Sequence, residues 1–152
     1  MNSFFFTLVL KGAGGLLEDI EDLLFEAGCS DALVCSYNHT VYLEFDRTAA
    51  SANIAIETAV ENVTGAGLNV ASIQEAGVAS MAEIAKRVGL TRSAVNHYTK
   101  STRGPGGFPE PLFGLTSGSP LYSWPAVAAW LHQQGKVDQN MMTVSQAAQK
   151  LI

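Results

Sequence analysis

Arg92 and Asn96 stand four residues apart, one turn of a helix, and each side chain suits one base edge. A guanidinium bonds the two major-groove acceptors of guanine in a fork. A carboxamide matches the acceptor and donor of adenine. Thr91 and Ser93, at the start of the same helix, suit phosphate oxygens, as does the helix N-terminus itself. His97 has the reach for a phosphate or a base edge. Lys86, Arg87, Lys100 and Arg103 cluster around this set as candidates for backbone contact. Four or five phosphate contacts predict a log–log salt slope of roughly −4.

The rest of the chain offers no competing chemistry. His39, His97 and His132 fall in three different segments, and no Ser-His-Asp set or apolar-flanked carboxylate pair accompanies them. Cys29 and Cys35 have no metal-site spacing and read as small buried hydrophobes. Gly12-Ala13-Gly14-Gly15 lacks the Lys-Ser/Thr of a phosphate loop and reads as a turn. The expectation is binding without catalysis, cofactor or metal.

The candidate residues need a positioned helix, and the sequence supplies one. Ser80-Met81-Ala82-Glu83 is a capping box, with Met81, Ile84, Ala85 and Val88 along one face behind it. Gly89 ends that helix. Thr91 caps a second, Arg92 to Lys100, whose inward residues are Ala94, Val95 and Tyr98. The short glycine-containing turn is that of a helix-turn-helix. Small Ala85 permits a close crossing, Leu90 fills the space beneath the turn, and Val95 packs the second helix on the first. Residues 101–111 are rich in Gly and Pro and read as a loop. Leu112–Leu115 and Pro120–Trp124 are expected to pair as a hairpin around Thr116–Ser119. Ser123 caps a helix with Pro125 in its first turn. Phe108, Trp124 and Trp130 are expected in the core. A last short helix is expected over Thr143–Leu151, docked on a partner or on its own domain.

Charge divides the 152-residue chain. Across residues 1–76, Lys11 and Arg47 face eleven carboxylates; residues 77–135 carry five cations and two carboxylates. One half suits a polyanion and the other does not. In the acidic half, residues 3–10 read as a strand. A helix from Leu16 to Ala27 follows, ended by Gly28. Residues 32–36 and 40–45 form strands around a Tyr37-Asn38-His39 turn. A helix capped by Asp46 or Thr48 and a strand over 68–73 complete the half. The order strand, helix, strand, strand, helix, strand predicts an α+β fold of ferredoxin-like, split βαβ type. The expected domains are 1–76, 77–135 and a tail, 136–152. No apolar run reaches the roughly 18 residues of a membrane span, and a cytoplasmic location is expected.

Ala82-Glu83-Ile84-Ala85, Gly89-Leu90-Thr91-Arg92, Phe108-Pro109-Glu110-Pro111 and Leu121 to Leu131 together resemble the AlpA/excisionase-like branch of MerR-superfamily winged helix-turn-helix proteins. The resemblance spans about residues 80–133. It implies a recognition helix in the major groove and a hairpin wing, here about 112–123, against the DNA backbone or minor groove. The wing tip carries no Lys or Arg, and the effector-side coiled coil of MerR activators is absent. The function expected is a sequence-specific regulator on double-stranded DNA, dimeric to match two half-sites and autoregulatory. The alternative is an antitoxin-like protein whose acidic N-terminal domain holds a toxin or enzyme, DNA binding being secondary.

Overall fold

The computed structural model describes residues 1–13 and 17–151. Gly14, Gly15 and Leu16, read above as part of the first turn and the start of its helix, lie outside the described residues, as does Ile152. The fold is mixed α+β with two apolar cores. Strands β1 (Asn2–Leu10), β2 (Ala32–Tyr37), β3 (Thr40–Ala49) and β4 (Val70–Ile73) form one sheet, in the order β2-β3-β1-β4. Every neighbouring pair is antiparallel. Helix α1 (Leu17–Glu26) links β1 to β2, and α2 (Ala52–Gly65) links β3 to β4.

The register sorts the strand residues by face. Phe4, Phe6, Leu8 and Leu10 of β1 share the core with Val41, Leu43 and Phe45 of β3. Phe6 and Phe45 are opposite one another, rings stacked at 5.1 Å. The helices close this face with Ile20 and Leu24 of α1 and Ala55, Ile56, Ala59 and Val63 of α2. Strand β3 runs on to Ala49, so Asp46 and Thr48 are strand residues paired with Phe5 and Ser3. Neither caps α2. Ser51 does, its Oγ accepting from the Ile54 N–H at 3.2 Å.

One charge sits inside this core. Arg47, only 8% exposed, donates through Nε and Nη2 to the two Asp31 oxygens, both at 2.8 Å, and through Nη1 to Thr58. The fork fixes the loop between α1 and β2 onto β3. Hydrogen bonds from Arg47 hold the Asp31 carboxyl below its usual range. Its stabilising contribution is therefore complete above the unfolded-state value and is lost as pH falls through the lower folded value. Asp31→Asn is expected to cost about 2 kcal/mol at neutral pH, since it strips the buried guanidinium of its charge partner. Partial exposure of Asp31 keeps the cost below that of a sealed pair. In urea melts, the gap between wild type and variant should narrow below about pH 4.

The second core lies under α3 (Met81–Val88), α4 (Arg92–Thr99) and α5 (Trp124–Gln133). Two short antiparallel strands, β5 (Val78–Ser80) and β6 (Leu121–Ser123), tie the entry of α3 to the entry of α5. Phe108, Trp124 and Trp130 are all buried, with Phe108 edge-on to Tyr122 and Trp130.

The expected tail is not separate. Its helix, α6 (Gln139–Lys150), starts four residues before the predicted one because Asp138 caps it, accepting from the Met141 N–H at 2.8 Å. Val144, Ala147 and Ala148 are built into the first core. The helix also follows the part of the β1 edge that short β4 leaves open. There Asn140 donates to the Ser3 carbonyl, and Glu75, in a single 3-10 turn at Gln74–Ala76, accepts from the Thr7 N–H.

Candidate nucleic-acid interface

The helix pair is set by its caps. Ser80 Oγ accepts from the Glu83 N–H while Glu83 accepts from the Ser80 N–H, both at 3.2 Å. Gly89 follows in the left-handed region at φ 70°. The Leu90 N–H then bonds the Ala85 carbonyl at 3.0 Å, turning the chain into Thr91. A Cβ on Gly89 would meet nothing within 4 Å. The cost of Gly89→Ala is therefore backbone strain alone, about 1–2 kcal/mol. A lowered denaturation midpoint with unchanged DNA affinity of the folded fraction is the expected result.

Helix α4 buries Ala94, Val95 and Tyr98 and leaves Arg92, Ser93, His97 and Lys100 exposed, with Asn96 half-buried at the same outward strip. Arg92, Asn96 and Lys100 recur every four residues and so line one side of the helix. Thr91 Oγ1 accepts from the Ala94 N–H at 3.1 Å. Its hydroxyl hydrogen is left to donate to an anion.

A basic loop continues this surface. Thr102 Oγ1 lies 3.1 Å from the His97 carbonyl and 2.8 Å from His97 Nδ1. The hydroxyl has one hydrogen, so it donates either to the carbonyl, with Nδ1–H donating to it, or to Nδ1 itself. The outer nitrogen, Nε2, faces away from this contact and is free to meet a phosphate or a base edge. The loop is anchored at its far end too, where Trp130 Nε1 donates to the Gly106 carbonyl at 3.1 Å. Lys100 and Arg103 are carried, exposed, on this tethered segment.

Arg87 stands apart from the set predicted for the backbone. Lys86 beside it is exposed, but Arg87 turns inward, its side chain 16% exposed and its Cζ 4.8 Å from the Trp124 ring centre. A residue two positions earlier than Gly89 on α3 falls on the side facing the first core, which the charge count alone did not show. It is not placed to reach a phosphate.

The wing also differs in construction. The predicted pairing of 112–115 with 120–124 is reduced to a bridge between Phe113 and Leu121, closed by Ser119 N–H to the Gly114 carbonyl at 3.0 Å. A left-handed Gly114 is required there, because a Cβ would run into the Ser119 carbonyl. Strand β6 takes its main partner from β5 instead. Phe113 and Leu115 are 58% and 65% exposed at this tip, whose polar groups are the hydroxyls of Thr116, Ser117 and Ser119.

The electrostatics of the two units differ in the same sense as the sequence. Four exposed cations, Lys86, Arg92, Lys100 and Arg103, lie on α3, α4 and the following loop, while exposed Lys11, Lys136 and Lys150 lie outside this segment. Among the described residues, no helix is long and apolar enough to cross a membrane.

Residues 70–101 match a family model described as winged helix-turn-helix DNA-binding. The matched segment runs from β4 through the end of α4 and stops before the wing. Neither a curated protein nor a solved structure matches the chain.

Proposed function

We propose, starting from the winged helix-turn-helix at residues 70–101, that the chain is a sequence-specific regulator of transcription that reads duplex DNA with α4 in the major groove. One observation carries this reading. The strip Arg92, Asn96, Lys100 points outward from a helix whose opposite side, Ala94, Val95 and Tyr98, is locked in the core. A rigid helix presenting base-reading side chains is what direct readout requires. Arg103 and Lys100 on the tethered loop extend the contact along the backbone. The AlpA/excisionase-like resemblance agrees with this placement, although the uncharged wing grips phosphate through hydroxyls only.

The N-terminal unit is of the ferredoxin-like type. The sheet order β2-β3-β1-β4, with α1 and α2 as the two crossovers, supports that reading. Its role in the proposal is to pair two protomers on adjacent half-sites in the cytoplasm. Phe25, Leu33 and Tyr37, all strongly exposed, provide apolar surface for pairing. Four exposed cations are too few for tight binding by a single copy, which is the reason a dimer is favoured.

Selection of bound duplexes from a randomised pool tests the proposal. An enriched motif is expected, bound with a log–log salt slope of roughly −4 per protomer. A slope near zero, or no enriched motif, would refute DNA reading by α4.

A further inference from the structure

Arg87 has hydrogen-bonding capacity that the protein does not use. Its guanidinium lies against Trp124, and its Nη1 is buried with no hydrogen-bond partner among the described residues. The nearest carboxylate, Glu83, stands 3.8 Å from Nη2, too far for a hydrogen bond. Buried donors are rarely left this way. The same side chain lines a cavity of about 270 Å³ where the two units meet. Phe5, Phe6, Phe45, Met141, Val144 and Trp124 provide the apolar part of the wall.

We propose that this cavity binds a small apolar carboxylate, its acid group on the Arg87 guanidinium and its apolar body against Phe45, Met141 and Val144. A carboxylate accepts two guanidinium hydrogens at once, which is the bond Arg87 lacks. The cavity is smaller than the roughly 300–1,000 Å³ of sites for drug-sized ligands, so a body of fewer than about ten heavy atoms fits. Glu75 and Glu44 also line it. Glu75 already accepts from the Thr7 N–H, and burial pushes its carboxyl up. These acids favour a ligand that carries an ammonium group beside its carboxylate over a plain acid, and both share the chemistry that Arg87 selects. Because Arg87 belongs to α3 and the opposing wall to β1, β3 and α6, a bound acid would bridge the N-terminal unit and the helix pair.

Trp124 on the wall provides the readout. Full-length protein is titrated with L-leucine, with 4-methylpentanoate, which lacks the ammonium, and with 4-methylpentanamide, which lacks the charge. A saturable change in tryptophan emission is expected with at least one of the two acids below about 10 mM. The amide should give none. Tighter binding of leucine identifies an amino-acid-like ligand, and tighter binding of 4-methylpentanoate a simple acid. Arg87→Met should weaken the acid at least about tenfold. Met141→Phe, which narrows the cavity without touching Arg87, should do the same if the first variant fails to fold. The proposal is overturned if neither acid saturates, if the amide binds as tightly, or if a folded Arg87→Met or Met141→Phe protein binds as wild type does. None of these outcomes depends on DNA, so failure here leaves the regulatory reading standing.

Discussion

Arg92→Ala is expected to cut discrimination at one base pair of the site while leaving the fold intact. The side chain is exposed in the first turn of α4 and makes no hydrogen bond or ion pair among the described residues. Its removal therefore takes nothing from the core. A bidentate contact to guanine is worth about 1–3 kcal/mol of discrimination, or roughly 5- to 150-fold in affinity for the selected site. Asn96→Ala should act similarly at a neighbouring base pair. The two residues sit one turn apart on one surface, so the double variant measures their coupling as well as their sum. Fluorescence anisotropy with the selected duplex and with a scrambled one is the measurement. Loss on the selected duplex alone identifies base readout. Equal loss on both, with a salt slope shallower by about one, would reassign Arg92 to a phosphate.

Removing residues 139–152 should have the largest effect on stability. Helix α6 is buried along Val144, Ser145, Ala147 and Ala148, and three of these belong to the first core. Its loss uncovers the side of α2 and the free edge of β1, and it takes Asn140 from the Ser3 carbonyl. At about 25 cal/mol per Å² of apolar surface, a cost of at least about 4 kcal/mol is expected. That is most of the stability of a marginal domain. Urea titration followed by far-ultraviolet circular dichroism should show the N-terminal unit unfolding at much lower denaturant. Ala148→Asp separates docking from mere chain length. It keeps the helix and places an unpaired charge at a position with no solvent exposure. A truncated protein with an unchanged midpoint would show that α6 is an ornament on a self-sufficient sheet.

Local signals were the legible ones. Ser80, Glu83, Gly89 and Thr91 act through groups three or four residues away, and the sequence holds all the partners they need. Apolar spacing likewise placed Ala94, Val95 and Tyr98 inward. Misplaced features depended on distant partners. Asp46 and Thr48 have cap chemistry, but pairing with Phe5 and Ser3 kept them in an extended strand, and the start of α2 moved to Ser51. Strand β6 chose β5, about 40 residues earlier, over the neighbouring segment expected to form most of the wing. Arg87 looked like its neighbour Lys86 until α5 supplied the Trp124 ring. The ion pair of Asp31 with Arg47 joins residues separated by a hairpin and carried no local mark at all. Glu75 is one of eleven carboxylates in the charge count, and only the β1 edge makes it an acceptor for the Thr7 N–H.

The contact of Asn140 with Ser3 closes a separation of 137 residues. On a ribosome adding about 5–20 residues per second, the first strand waits roughly seven to thirty seconds for the helix that covers its edge. During that interval the nascent sheet shows unpaired backbone and the aromatic run Phe4-Phe5-Phe6 to whatever passes. Native pairing across such a span is also slow to nucleate. Synthesis of this protein therefore has a vulnerable period that ends only with α6, and expression yield should respond to chaperone supply more strongly than its small size implies.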